Sequence, residues 1–143
     1  MRTAVVSPSG RNGRPYEFIV VDDAEKIRKL AHSKESGAQF AESAPLIIVV
    51  AWHEYPTGED DASIASTIIQ LKAHQLGLGT CWLQTKGKLD LNGKACHDNI
   101  RDILGIPENI HIGNMISLGY PAEEKPPYEE KDMDMSKVHY NKW

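Results

Sequence analysis

Leu46-Ile47-Ile48-Val49-Val50-Ala51-Trp52 is followed, after a short polar stretch, by Asp61-Ala62-Ser63-Ile64-Ala65-Ser66-Thr67-Ile68-Ile69-Gln70-Leu71-Lys72-Ala73-His74-Gln75-Leu76. The first segment is short, continuously apolar and rich in β-branched residues. That pattern predicts a strand covered on both faces. The second segment reads as a helix that starts at Asp61 and is stopped by Gly77. Ile64, Ala65, Ile68, Ile69, Leu71, Ala73 and Leu76 wrap most of its circumference, which predicts a central, buried helix. Thr57 to Asp60 reads as the loop between the two.

The same reasoning extends outward in both directions. Glu17 to Val21 is a short β-branched run and reads as a buried strand. Asp22-Asp23-Ala24-Glu25 starts a helix, with Asp22 as N-cap and Glu25 at the capping-box position. Ile27, Leu30 and Ala31 share one face of it. Downstream, Thr80 to Gln84 is a short strand, and Cys96 to Leu104 is an amphipathic helix ended by Gly105 and Pro107. Ile110 to Leu118 is a further strand, stopped by Gly119-Tyr120-Pro121. Strands and helices alternate in part, so the layers are α/β or α+β, with helices on both sides of a sheet.

Length and composition narrow the class. The chain has 143 residues, a net charge of −4, 41% hydrophobic and 25% charged residues, normal for one globular domain spanning 1–143. The longest nearly apolar run, Ala44 to Trp52, is too short for a membrane-spanning helix, which needs about 20 residues. Two cysteines make no disulfide framework, so a cytoplasmic location is expected. Mild acidity argues against nucleic acid as a partner. The tail from Ala122 to Trp143 is charged but carries Val138, Tyr140 and Trp143, so it is expected to pack on something.

Familiar catalytic patterns are missing. The six histidines show no His-Glu-x-x-His pattern, and C-x-x-C and G-x-S-x-G do not occur. Cys81, in an apolar strand, reads as a buried inert thiol. Gly77-Leu78-Gly79 follows a helix, so a C-terminal cap explains it better than a dinucleotide fingerprint. The loop Ser7-Pro8-Ser9-Gly10-Arg11-Asn12-Gly13-Arg14-Pro15 is more suggestive. The first sixteen residues hold three arginines and no acid. Such a loop can hold an anion or the polar edge of a heterocycle. It also fits a plain surface turn with solvated arginines.

Five blocks carry a family resemblance. Ser7 to Asp23 resembles the APS-x-x-N-x-Q-P-W-x-F-x-V-V segment of the nitroreductase family. Asp61-Ala62-Ser63-Ile64-Ala65 resembles the start of its central helix. His74-Gln75-Leu76-Gly77-Leu78-Gly79-Thr80-Cys81-Trp82 resembles its A-x-x-L-G-L-G-x-x-W segment. Leu104-Gly105-Ile106-Pro107 resembles L-G-I-P, and Ile116 to Glu124 resembles the A-L-G-Y-P-x-E block.

The resemblance implies a three-layer α/β/α fold of the α+β class, with a mixed, mainly antiparallel sheet flanked by helices. It implies FMN as cofactor, NADH or NADPH as donor, and a nitroaromatic, quinone or similar small acceptor. Hydride would pass through flavin N5. The cofactor does the chemistry, so no side-chain catalytic residue is assigned. By resemblance, Pro8, Ser9 and Asn12 contact the flavin, Asn12 at the pyrimidine edge. Arg14 stands where the family has Gln, and a cation there would stabilise the reduced ring. Trp82, Leu83, Gln84 and Thr85 fall near N5, where their backbone N–H groups would act. Lys125 and Lys131 are the basic candidates for the phosphate. The resemblance also implies a homodimer, with 122–143 an arm on the partner subunit.

The family's R-x-S-x-R segment, which grips the flavin phosphate, does not occur in the sequence. About one to two helices are expected to be missing at the N-terminal end. Charge-assisted contacts contribute about 1.5–3 kcal/mol each, so losing two or three weakens binding by orders of magnitude. Two further expectations follow. One is a truncated, non-catalytic protein of this fold with weak or no flavin binding. The other is an R-x-S-x-R segment encoded upstream of Met1.

Overall fold

Four strands build one sheet in which, counted along the chain, the first pairs with the second, the second with the fourth and the fourth with the third. In the computed structural model, which describes residues 1–143, they are β1 (Tyr16–Val21), β2 (Leu46–His53), β3 (Gly79–Gln84) and β4 (Ile110–Gly119). Three helices accompany them: α1 (Ala24–Ala31), α2 (Gly58–Gln75) and α3 (Cys96–Leu104). All three strand pairings are antiparallel, so no parallel pair makes the sheet mixed. No helix is long and apolar enough to cross a membrane.

The continuous apolarity of β2 comes from burial on both faces. Ile47, Val49 and Ala51 enter a core with Ile27 and Leu30 of α1 and Ile100 of α3. Ile48 and Val50 point the other way, toward Ala62, Ile69 and Ala73 of α2. This period-two split sets the three layers. The layers are unequal: 16 residues are buried in the first core and 8 in the second. The α2 face is therefore the thinner one, which bears on how α2 itself is covered.

Several expectations are corrected here. Asp23, not Asp22, caps α1, its carboxylate accepting the Lys26 N–H at 2.8 Å. Glu25 does not close a capping box; it pairs with Lys29 one turn on. Helix α2 begins at Gly58, a turn before Asp61. A Cβ at Gly58 would lie 2.2 Å from the Trp52 ring, so glycine there serves close packing rather than a loop. Helix α2 is not buried all round either. Ile64, Leu71 and Leu76 are exposed, whereas Ala62, Ala65, Ser66, Ile69 and Ala73 are buried. Its outer apolar residues find no cover within the chain. Cys81 is exposed because β3 is the edge of the sheet, whereas Cys96 of α3 is buried in the first core.

Helix α3 ends as expected. Gly105 adopts a left-handed φ of 68° and its N–H caps the Arg101 carbonyl, which suits glycine. The tail does not pack on its own body: every residue from Tyr120 to Trp143 is exposed.

Candidate functional site

Because the sheet is antiparallel, β1 starts, β2 ends, β4 starts and β3 ends along one rim. Helix α2 starts at the same rim, immediately after β2. This brings the Ser7–Pro15 loop and the Trp82–Thr85 segment, far apart in sequence, to the same end of the fold.

The loop is held by its neighbours. Gly10 donates its N–H to Asp61 Oδ1 at 2.9 Å, and Thr57 donates its hydroxyl to Asp61 Oδ2 at 2.8 Å. Tyr55 donates to the Gly10 carbonyl at 3.1 Å, and Tyr16 donates to the Ser7 carbonyl at 2.6 Å. A Cβ at Gly10 would lie 2.2 Å from Thr57 Oγ1, so the approach needs glycine. Arg11, Asn12 and Arg14 all have φ between 48° and 57°. Non-glycine residues in that region cost about 1 kcal/mol or more each and persist only when their surroundings enforce them. Asp61 is 2% exposed and is the main enforcer. Its functional part is absent from its sequence reading as a mere helix start.

Within the loop, Ser9 accepts the Arg14 N–H at 2.9 Å, and Asn12 Oδ1 accepts from Arg14 Nε at 3.0 Å. The Asn12 carbonyl oxygen is therefore occupied and its amide NH2 is not. Pro8 and the Arg14 side chain face solvent.

At the β3 end the four expected residues divide. Trp82 and Gln84 lie on the α2 side, joined by an indole N–H donated to Gln84 Oε1 at 3.1 Å. Leu83 is buried in the core, so only its backbone can serve a site. Thr85 donates its hydroxyl to the Gly113 carbonyl and meets His97 Nε2 at 2.9 Å. With the hydroxyl proton spent, His97 Nε2 is the donor, which fixes the tautomer. Burial lowers the His97 pKa below its ordinary value. The Thr85 N–H finds no acceptor in the chain.

Between the β3 end and the start of α2 lies a cleft of about 290 Å³, bordered by Trp52, Trp82, Gln84, His97 and Asn114. A β-bulge at Val50/Ala51 inserts Gly113 beside it, a common device for re-aiming residues near a site. Asn114 accepts from Ser66 through Oδ1, but its Nδ2 is buried without a partner, as is Ser7 Oγ. Buried unpaired polar atoms are rare and mark places where an outside group can bond. Asn114 had a visible signal, a lone amide in an apolar strand.

Lys125 and Lys131 are not brought to this rim. They follow β4 at the opposite end of the sheet, where Lys125 pairs with Glu123 and Lys131 with Glu129. One copy of the chain does not join them to the other eight expected residues.

The family model for the nitroreductase family matches residues 31–120. The chain belongs to the nitroreductase family. A nitroreductase-family relative from Archaeoglobus fulgidus, named "Putative NADH dehydrogenase/NAD(P)H nitroreductase", is 34% identical over all of this chain and 83% of its own length. Among solved structures, an FMN-dependent nitroreductase from Clostridium difficile superposes with a TM-score of 0.94 at 40% identity, covering 99% of this chain and 84% of that one. An iodotyrosine deiodinase bound to FMN and 3-iodo-L-tyrosine superposes with a TM-score of 0.74 at 20% identity over 99% of this chain and 84% of that one. That last likeness concerns the fold alone. The nitroreductase fold thus spans nearly the whole chain, including the rim and its cleft.

Proposed function

We propose that the chain is an FMN-dependent oxidoreductase that takes hydride from NADH or NADPH and passes it to a nitroaromatic, quinone or similar small acceptor. The observation that carries this reading is the set of unspent polar groups on one rim. Asn114 Nδ2 lies at a cleft walled by two indoles, and the Thr85 N–H and the Asn12 amide NH2 are left unspent at the same end of the sheet. A flat ring system with one polar edge needs that combination: apolar walls for its faces, donors and acceptors for its edge.

When bound, FMN supplies the hydride chemistry through N5. The chain's residues supply the rest. Trp52 and Trp82 line the cleft and would exclude water from a ring held there. Asp61 fixes the Ser7–Pro15 loop and so aims Asn12 and Arg14. The neutral His97, fixed by Thr85, keeps the β3 end rigid without adding charge.

The rim itself carries Arg11, Arg14, Lys86 and Arg101, and Lys125 and Lys131 would add to them for the phosphate only from a second copy. Lys125 and Lys131 stand on an arm with exposed Tyr128, Tyr140 and Trp143. Helix α2 leaves Ile64 and Leu71 exposed on its outer face, near the exposed Val5 and Val6. A homodimer covers these faces and lets one copy's arm serve the other copy's rim. The tests are NADH or NADPH oxidation by the FMN-loaded protein with a nitroaromatic or quinone, and sedimentation at micromolar concentration. Turnover by a dimer is expected. A colourless monomer that takes up no FMN would favour the weakly binding, non-catalytic alternative.

A further inference from the structure

Lys34 follows α1 and is 6% exposed. It pairs with no carboxylate; its one polar contact is the Gln84 carbonyl, 2.9 Å from Nζ. A buried ammonium without an acid beside it is costly. The backbone around it is pinned. Glu35 donates its N–H to the Leu89 carbonyl, Asn99 donates to the Ser33 carbonyl, and Gln39 donates to the Lys34 carbonyl. The ammonium is therefore held against β3. Burial lowers its pKa, with the Cys96 and Cys81 thiols working against that shift and Lys88 adding to it. No acid on α1, α3 or β3 faces it.

The contacted carbonyl belongs to the peptide whose N–H is that of Thr85. A cation on the oxygen draws electron density through the amide and makes the N–H a stronger donor. That N–H has no acceptor within the chain, and neither do the Lys86 and Gly87 N–H groups that follow it. The polarised peptide lies between Gln84 and Lys86, both of which line the cleft, while Thr85 itself is buried.

We propose that Lys34 is an electrostatic positioning residue that polarises the Gln84–Thr85 peptide toward the flavin's polar edge and favours the reduced over the oxidised cofactor. The proposal rests on the FMN reading above. A ring carbonyl oxygen accepts a hydrogen bond in both redox states and is more electron-rich in the reduced one, so a polarised donor raises the midpoint potential.

Two variants test it. Lys34→Met removes both charge and donor. Lys34→Gln removes the charge and keeps an amide donor. Both are expected to bind oxidised FMN within about twofold of wild type and reduced FMN about tenfold more weakly. That corresponds to a potential lower by about 30 mV for a two-electron couple. In the flavin-free protein the Thr85 amide proton is expected to move upfield in both, and thermal unfolding is expected not to fall, since an unpaired buried charge is lost. An unchanged potential in both variants would overturn the proposal. So would a wild-type potential in Lys34→Gln, which would make the contact a plain hydrogen bond. So would early unfolding of both with an unmoved Thr85 amide. If wild-type protein takes up no FMN, the cofactor reading fails, and the Thr85 amide shift still decides whether Lys34 polarises the peptide.

Discussion

The Ser7–Pro15 loop and the Ala122–Trp143 tail look alike in composition, both irregular, charged and Pro-containing, yet the fold treats them oppositely. The loop is tied to the body by Asp61, Tyr55 and Tyr16. The tail bonds only to itself, as in Asp132 to Glu129 and Ser136 to Asp134, and exposes Trp143 almost completely. Irregular chain is ordered by the partners it meets. The loop's partners are in the same chain. In the tail Trp143 meets only His139 of the tail itself, ring centroids 4.3 Å apart, which is why its partner is sought in a second copy.

The sharpest way to break this contrast is at Asp61. Asp61→Ala removes two hydrogen bonds to a buried carboxylate and is expected to cost about 2–4 kcal/mol of stability, with FMN affinity lower by at least about tenfold. Urea unfolding and FMN titration check both. A loop as insensitive as the tail would end the comparison.

A smaller effect is expected at Gly58. Gly58→Ala sets a methyl against the Trp52 ring and displaces one wall of the cleft. Overpacking of this kind costs about 1–3 kcal/mol, readable as a lower urea midpoint with an unchanged slope.

Smaller still is the pH dependence from His97. Burial depresses its folded pKa below the unfolded value near about 6.5. The unfolded chain therefore gains a proton first as pH falls. Stability is unaffected above that value and declines below it, until the folded pKa is passed. Unfolding free energy measured against pH is expected to lose part of this slope in His97→Gln.

The smallest expected effect lies in the tail. Trp143→Ala is expected to change the stability of the dilute chain by no more than about 0.5 kcal/mol, while weakening self-association measured by sedimentation. A stability loss as large as that at Asp61 would mean that the tail packs on its own body after all.

Strands β2 and β4 and helix α3 were legible in the sequence. Two-sided burial leaves a continuous apolar run, and a left-handed glycine leaves a visible stop at Gly105. The start of α2 was not, because Thr57-Gly58 carries turn chemistry while Trp52, from another element, demands the glycine. The exposed stripe of α2 was hidden for a related reason: apolar periodicity reports which residues avoid water, not which chain covers them. The exposure of Cys81 is not legible because an edge strand and a central one look alike locally.

In the site, the Ser7–Arg14 and Trp82–Thr85 segments were marked by motif, but their convergence depends on strand order. Asp61 and Asn114 were polar residues in apolar settings, a signal that pattern reading discounts. Lys34 carried no signal, since nothing local distinguishes a lysine that turns inward from one that does not.

The most direct measurement is the visible absorbance of the purified protein after incubation with FMN and gel filtration. The account predicts flavin absorbance travelling with the protein at the dimer position, bleached under anaerobic conditions by NADH or NADPH and restored by a nitroaromatic or quinone. Colourless protein, with all the FMN eluting separately, would contradict it.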